Sequence, residues 1–376
     1  MIKIAADSQI PNLEIKLSEH FHAEYTLQHF SSNQLTSRDL KDVDALLVRS
    51  TTQVDEVLCG ESQLQYVGSA TAGINHLDTK YLDNQNIAWS HAPGCNAASV
   101  THYVMAAIGE LIQEGLFNVR QSVGIIGYGN IGKKLYQLLS ALNVEVYAHD
   151  PFLKDLFLVE MDKILTCDLI TIHVPYSQEG AHPTRELINQ SHAKDLKDKI
   201  LINTSRGGVV SEALVKESQD LIYVADVWLD EPTPSPAMIQ KAFISTPHIG
   251  GYSIEGKLNG TSIIVNECAR VFKCFKATSS TENHLINWPH GLENIVRDMH
   301  GYGFPLAIFM SELDLRVVSD TFKSISENEL AGRFKDLRIH HAPRHDFNTY
   351  SYEGIIELDE SINLGFFNSL NAKYLK

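Results

Sequence analysis

Apolar and polar positions along the chain switch repeatedly between two periods. Predominantly apolar runs stand at residues 45–48, 64–68, 87–89, 123–126, 144–148, 169–174, 200–203 and 221–225. Between them lie stretches with apolar residues three and four positions apart, clearest at 97–113 (Ala98, Val100, Val104, Ala107, Ile108, Leu111), 130–142 and 260–275. Continuous apolar strands spaced by helices predict parallel sheets covered on both faces. Residues 1–7 read as a first strand, so residues 2–89 form a small α/β unit. The helix at 97–113 links it to a second α/β series, and the helix at 260–275 returns the chain to the first unit. From about residue 281 the character changes. Residues 290–313 and 327–337 read as helices, and 350–358 alternates like a strand with one wet face. This tail carries no catalytic pattern and reads as a separate module.

The junction after the run at 123–126 is the most informative point. Gly127, Gly129 and Gly132 form a G-x-G-x-x-G between a predicted strand and a predicted helix, and the next strand ends at Asp150. Gly127 permits a tight turn, Gly129 lets backbone approach a pyrophosphate, and Gly132 lets helix pack close to strand. The diphosphate then meets the unpaired N–H groups at the helix N-terminus. Asp150 can accept the adenosine ribose hydroxyls and would repel a 2′-phosphate, so the fingerprint predicts NAD rather than NADP.

Composition narrows the setting. The chain has 376 residues, enough for two or three domains. Acidic residues outnumber basic ones by 46 to 31, which argues against nucleic-acid or anionic-membrane partners. No apolar run approaches the roughly 20 residues of a bilayer span, and the N-terminus lacks a signal-peptide core. Five scattered cysteines without metal-ligand spacing (Cys59, Cys95, Cys167, Cys268, Cys274) suggest reduced thiols in a cytoplasmic protein with no metal site. Cys95 lies near a helix start but has no identifiable base beside it, and it reads as packing.

Three further residues follow predicted strands: Arg206, Glu231 and His248. In doubly wound sheets ligands bind beyond the carboxyl ends of the strands, so all three can face a nicotinamide. A guanidinium clamps a substrate carboxylate through two hydrogen bonds. An imidazole accepts the hydroxyl proton as hydride leaves, and a carboxylate on its far nitrogen fixes the tautomer. Singly, each has an ordinary reading: a helix cap or surface pair for Arg206, a solvated turn for Glu231, a satisfied loop histidine for His248. Asp168 and His173, flanking a buried strand, read as structural. The Arg49-Ser50-Thr51-Thr52 segment at a strand end suits a phosphate or carboxylate, with an exposed turn as its alternative.

The glycine fingerprint, Asn203-Thr204-Ser205-Arg206-Gly207-Gly208, Asp226-Val227-Trp228 with Glu231-Pro232, and Thr246-Pro247-His248 resemble the D-isomer-specific 2-hydroxyacid dehydrogenases over roughly residues 45–273. One branch of that family, acting on a phosphorylated four-carbon 2-hydroxy acid, is matched more narrowly. That match rests on Val48-Arg49-Ser50-Thr51, Ala70-Thr71-Ala72-Gly73, Ala92-Pro93-Gly94-Cys95-Asn96-Ala97 and Gly251-Tyr252-Ser253-Ile254-Glu255-Gly256-Lys257. Phe334-Lys335-Asp336-Leu337-Arg338 and Arg344-His345-Asp346-Phe347 are similar to the dimerisation domain of the same branch.

The resemblance implies an NAD-dependent oxidoreductase with Arg206, Glu231 and His248 catalytic, His248 exchanging the proton. Ser50, Thr71 and Tyr252 would contact substrate. Gly127, Gly129, Asn130, Ile131, Gly132, Asp150, Val174, Asp226 and Gly251 would contact NAD. The expected fold is α/β: a doubly wound parallel-sheet (Rossmann) NAD domain at 95–247, a smaller flavodoxin-like substrate domain at 1–94 and 248–280, and an α+β dimerisation domain at 281–376. The expected assembly is a homodimer through that tail, with a regulatory small-molecule module as the tail's alternative role. The alternative functions are a sibling enzyme for 3-phosphoglycerate or glycerate, and an NAD-sensing scaffold of the corepressor kind. Three positions depart from the family pattern. His102 stands where an acid is common, Val174 where a small hydroxyl residue is common, and the loop at 176–189 is short.

Overall fold

The computed structural model describes residues 1–31, 34–275, 286–287, 304–341 and 343–351, and the chain falls into two compact units. The first takes in Met1–Asn96 and the stretch beginning at Ser253; the second takes in Ala97–Tyr252 and the described residues of the C-terminal part.

In the first unit the strands are β1 (Ile2–Asp7), β2 (Tyr25–Phe30), β3 (Ala45–Val48), β4 (Tyr66–Ser69) and β5 (Ala88–Ser90). They form one parallel sheet in the order β2-β1-β3-β4-β5. Its helices are α1 (Leu13–His20), α2 (Glu56–Cys59), α3 (Thr79–Asn84) and the returning helix, numbered α9 in chain order (Ile254–Val271). Alternate residues of each strand feed two different cores. Ile4, Ala6, Ala45 and Leu47 pack under α1 and α9, whereas Ala5, Leu46, Val48 and Val67 pack with Leu40, Val54 and Leu82 on the other face. Burial on both faces explains why the sequence shows predominantly apolar runs there. The return helix starts at Ile254, six residues before its predicted start, because the Ser253 hydroxyl accepts the Gly256 N–H at 2.9 Å and caps it. Gly256 and Gly260 hide that first turn in the sequence, and Gly260 is there for closeness: a Cβ would lie 2.4 Å from the Ala70 carbonyl oxygen.

The second unit holds β6 (Val123–Ile126), β7 (Val146–His149), β8 (Leu169–Ile172), β9 (Ile200–Asn203), β10 (Ile222–Ala225) and β11 (Ile244–Ser245). They form a parallel sheet in the order β11-β10-β9-β8-β6-β7. The helices between and before them are α4 (Ala97–Gln113), α5 (Asn130–Ala141), α6 (Met161–Leu165), α7 (Glu212–Glu217) and α8 (Pro236–Lys241). The chain leaves β6 to one side for β7 and to the other for β8, so the topological switch point lies at the carboxyl ends of β6 and β8. This is the doubly wound arrangement that the apolar pattern predicts.

The described residues of the tail share their cores with the second unit. Among the described residues it supplies α10 (Phe304–Glu312), α11 (Leu315–Lys323), α12 (Leu330–Ile339) and a short parallel pair, β12 (Ile286–Asn287) with β13 (Tyr350–Ser351). Leu306, Ile308, Phe309, Leu313 and Leu315 share one core with Tyr103, Val104 and Ile108 of α4. Phe322, Leu330 and Phe334 share another with Tyr223, Trp228 and Met238. The cause lies in α4, which is buried at every residue from Ala97 to Leu111 and so needs covering on all sides. A Cβ on Gly109 would sit 2.4 Å from the Met310 sulfur, which measures how closely α10 approaches. His102, one of the positions that departs from the family pattern, is fully buried here with its Nε2 2.9 Å from the Phe309 carbonyl oxygen. Burial, aided by the charge of Arg344, pushes this ring down to about 3, so it is neutral at working pH. The helix α11 is not among those the pattern predicts; residues 290–303 and 352–358 of the expected helix and strand lie outside the described residues.

All five cysteines are buried and none is in a disulfide. Among the described residues no helix is long and apolar enough to cross a membrane, and no cluster of side chains is arranged to hold a metal ion.

Candidate active site

The glycine turn lies at the switch point. Gly127 has φ +95°, and a Cβ there would lie 2.4 Å from the His173 carbonyl oxygen, so both conformation and space demand glycine. A Cβ on Gly132 would lie 2.0 Å from the Gly127 carbonyl oxygen. Gly129 differs, because it is exposed and a Cβ there would meet nothing within 4 Å, which leaves the approach open. It also precedes α5 with no side chain capping the helix. The N–H groups of the first turn, including those of Asn130 and Ile131, are therefore left for an anionic ligand.

Asp150 is tied to the turn. Its carboxylate accepts the Tyr128 N–H at 2.9 Å and the Phe152 N–H at 3.0 Å, one on each oxygen. Each oxygen keeps a further lone pair for a ribose hydroxyl. Val174 donates its N–H to the Ser205 hydroxyl at 3.1 Å, and that hydroxyl donates to the Ile172 carbonyl at 2.7 Å. The ends of β8 and β9 are thereby fastened together without a Val174 side-chain bond. Open space at Gly129, an uncapped helix and a placed carboxylate fit a dinucleotide.

Arg206, Glu231 and His248 follow β9, β10 and β11 in turn, at the same edge of the sheet. Asn203 shapes the first turn by accepting the Ser205 N–H at 3.0 Å and donating to the Arg206 carbonyl at 3.2 Å. Gly207 then passes so close to β10's loop that a Cβ would meet the Trp228 carbonyl oxygen at 1.9 Å. The Arg206 guanidinium spends one N–H on the Ser205 carbonyl at 2.7 Å. Burial lowers its pKa, and the nearby charge of Glu231 opposes that shift.

Glu231 and His248 form a pair. The His248 Nδ1 lies 2.7 Å from Glu231 Oε2, while Glu231 Oε1 accepts the Trp228 N–H at 3.0 Å. Burial alone would raise the Glu231 carboxyl. The charge and hydrogen bond of His248, the Trp228 amide and the charge of Arg338 outweigh it, and the pKa ends below the usual value. Glu231 thus stays ionised across neutral pH. With Nδ1 committed to it, His248 presents Nε2 as its reactive nitrogen. His248 sits at φ +57°, a left-handed conformation that histidine tolerates better than most residues.

That conformation is held from beneath by Asp226, expected among the cofactor contacts. Its carboxylate is buried and accepts the Ile249 and Gly250 N–H groups at 2.8 Å each and the Thr246 hydroxyl at 2.6 Å. Burial raises its pKa, opposed by His248, Thr246 and the two amides. Both oxygens are turned into the His248 loop, so in this structure Asp226 positions that loop. Tyr103 extends the chain, its hydroxyl 2.7 Å from that of Thr246.

The tail reaches the same loop. Arg344, 1% exposed, donates to the Gly250 carbonyl at 2.8 Å and to the Ser99 hydroxyl at 3.1 Å. Arg338 places its guanidinium 5.3 Å from the centre of the Tyr252 ring. Neither arginine is a candidate from sequence reasoning, although both segments carry the resemblance to the tail of the same family branch. Their signal is three-dimensional, because a buried cation in a helical tail has no periodicity of its own.

The remaining site residues lie in the first unit or beside the loop. Ser50 is exposed in the turn after β3, and the neighbouring Arg49 is bonded to the Gln9 side chain. Thr71 follows β4; its hydroxyl is 2.9 Å from that of Ser69, which in turn is 2.8 Å from His76 Nε2. Gly251 and Tyr252 complete the turn after His248, the Tyr252 N–H donating to the Ile249 carbonyl at 2.8 Å. His173 bridges the hydroxyls of Thr171 and Thr204 at 2.8 and 3.2 Å, and Asp168 accepts both the N–H and the hydroxyl of Ser122 at 2.8 Å.

A turn built for a dinucleotide and an Arg, Glu and His set on adjoining strand ends define an NAD-linked dehydrogenase. Residues 113–250 match the family model for the D-isomer specific 2-hydroxyacid dehydrogenase NAD binding domain, and NAD is the cofactor. The erythronate-4-phosphate dehydrogenase of Hahella chejuensis is 38% identical over 278 residues, 72% of each chain. That of Shewanella halifaxensis is 34% identical over 380 residues, 97% of this chain and 99% of its own. The chain belongs to the D-isomer specific 2-hydroxyacid dehydrogenases and, within them, to the erythronate-4-phosphate dehydrogenase family. Among solved structures, the fold is similar to the NAD+-bound 3-phosphoglycerate dehydrogenase of Entamoeba histolytica, with a TM-score of 0.61 at 20% identity over 72% of this chain and 95% of that one.

Proposed function

We propose that the protein oxidises 4-phospho-D-erythronate at C2 to 3-hydroxy-2-oxo-4-phosphobutanoate, a step of pyridoxal 5′-phosphate (vitamin B6) synthesis, in the cytoplasm. The observation that carries the chemistry is the 2.7 Å pair of His248 and Glu231 at strand ends adjoining that of Arg206. The substrate is taken from relatives that match over nearly the whole length. In this reading Arg206 grips the C1 carboxylate and fixes C2. His248 Nε2 removes the C2 hydroxyl proton, and Glu231 stabilises the imidazolium that results. NAD, when bound, takes the hydride from C2. Ser50, Thr71 and Tyr252 hold the substrate, while Gly127, Gly129, Asn130, Ile131, Gly132, Asp150, Val174, Asp226 and Gly251 line the cofactor.

The test is a panel of 2-hydroxy acids read by NADH absorbance. Turnover of 4-phosphoerythronate well above 3-phosphoglycerate, glycerate and unphosphorylated erythronate is expected. Preference for another member of the panel would move the enzyme to a sibling activity, and no turnover of any would favour an NAD-sensing scaffold.

Glu231→Gln supplies a test of the pair. For oxidation His248 takes the C2 hydroxyl proton at Nε2, and the carboxylate 2.7 Å from Nδ1 is placed to orient the ring and stabilise the imidazolium. Removing that charge is expected to lower kcat by about 10- to 100-fold. An unchanged kcat would remove Glu231 from its partnership with the base.

The tail also bears on assembly. We infer a homodimer made through the C-terminal part, as the resemblance implies, with a two-fold interface. Light scattering at micromolar concentration is expected to give twice the 42.0 kDa chain mass; a single chain mass would end that inference.

A further inference from the structure

Arg338 belongs to the last turn of α12, far in sequence from the site, yet it faces the site's residues. Its guanidinium carbon is 5.3 Å from the centre of the Tyr252 ring and 5.8 Å from that of Phe334. Its charge is felt at the Glu231 carboxyl, where it helps to keep that group ionised. The side chain is half-buried, and its Nε is buried with no hydrogen-bond partner. Among the described residues no carboxylate pairs with it. A partly buried arginine is ordinarily matched to an acid or to carbonyl oxygens, since unmatched buried donors are costly. Among the described residues this one lies over the rings of Tyr252 and Phe334, with no hydrogen bond from its N–H groups to them or to any other side chain. That is the arrangement required to read an oxyanion: orientation fixed by stacking, donors kept for the ligand.

We propose that Arg338 is the specificity-determining residue for the substrate's phosphate, donated to the site by the C-terminal part of the chain. The proposal rests on the reading above that the substrate carries an anionic group at each end. Two anions call for two cations. Arg206 takes the carboxylate beside His248, and Arg338, on the Tyr252 side of Glu231, takes the remote phosphate. In the sequence, Ser50 and Arg49 are the candidates for that end. Arg49 is already bonded to Gln9, whereas no hydrogen bond or ion pair engages Arg338 among the described residues.

The experiment compares wild type, Arg338→Gln and Arg338→Lys on 4-phosphoerythronate and on unphosphorylated erythronate, with inorganic phosphate as inhibitor. Arg338→Gln is expected to lose about 10- to 100-fold in kcat/KM for the phosphorylated substrate, chiefly through KM, as loss of a charged hydrogen-bond pair does. Its kcat/KM for erythronate should fall several-fold less, any loss there reflecting the missing charge near Glu231, and inhibition by inorganic phosphate should weaken in parallel with the larger loss. Arg338→Lys should fall between, keeping charge without the fork, and serves if the glutamine variant does not fold. If both variants keep the wild-type ratio between the two substrates, or lose activity equally on both, Arg338 does not read the phosphate. If wild type itself shows no preference for the phosphorylated compound, the substrate assignment fails first.

Discussion

Replacing His248 with alanine is expected to lower kcat by a factor on the order of 10² to 10⁴ while NAD still binds. The separation of the two effects follows from the architecture. The glycine turn and Asp150 belong to β6 and β7, whereas His248 follows β11 at the other edge of the sheet. The loop around His248 is secured by Asp226 through the Ile249 and Gly250 amides and the Thr246 hydroxyl, none of which involves the imidazole. Alanine does meet one penalty unrelated to chemistry, since φ at this position is +57°. A left-handed residue without a short polar side chain costs about 1–2 kcal/mol of stability. His248→Asn, which tolerates that conformation, separates strain from lost proton transfer. Both variants should be slow, and both should bind NADH with near wild-type affinity in a fluorescence titration. Near-normal kcat in either would remove His248 from the proton's path.

Arg206→Lys is the second large effect expected, at least about 100-fold in kcat/KM. An ammonium keeps the charge but offers no planar fork for a carboxylate, and a charged hydrogen bond is worth roughly 1.5–3 kcal/mol. A further loss comes from burial. The environment that lowers the arginine would lower a lysine too, and lysine starts only about three units above neutrality. The variant should therefore lose still more activity as pH rises, where the amine gives up its proton, which wild type should not do. Steady-state kinetics between neutral and mildly alkaline pH would show it. A conservative, pH-independent result would mean that Arg206 does not clamp the carboxylate.

The sequence discloses those parts of the molecule that are repetitive or local. Strands buried on both faces must be apolar throughout, so β3, β6, β8 and β9 are plain in the pattern. Glycine turns are plain for a related reason, because the spaces at Gly127 and Gly132 admit no Cβ. Arg206, Glu231 and His248 become legible through their order behind consecutive strands. What escapes is whatever depends on one segment meeting another. The resemblance places Asp226 among the cofactor contacts, but its ties to the His248 loop, some twenty residues on, have no local signature. The residues of α10 and α11 read as parts of a separate module because nothing in their own pattern names α4 and β11 as the surfaces they cover. Arg338 and Arg344 are two basic residues in a polar tail until folding brings one to Tyr252 and the other beneath Gly250.

Arg344 gives the order of synthesis a chemical meaning. The buried carboxylate of Asp226 and the carbonyls of Ile249 and Gly250 are all made about a hundred residues before the guanidinium that lies against them. On the ribosome, the glycine turn and its sheet can assemble while that cation is still untranslated. A chain released before residue 344 would lack the cation behind the Gly250 carbonyl, leaving Asp226 to hold the His248 loop without it. Support for the catalytic loop is then completed by a side chain made about a hundred residues after the histidine it serves.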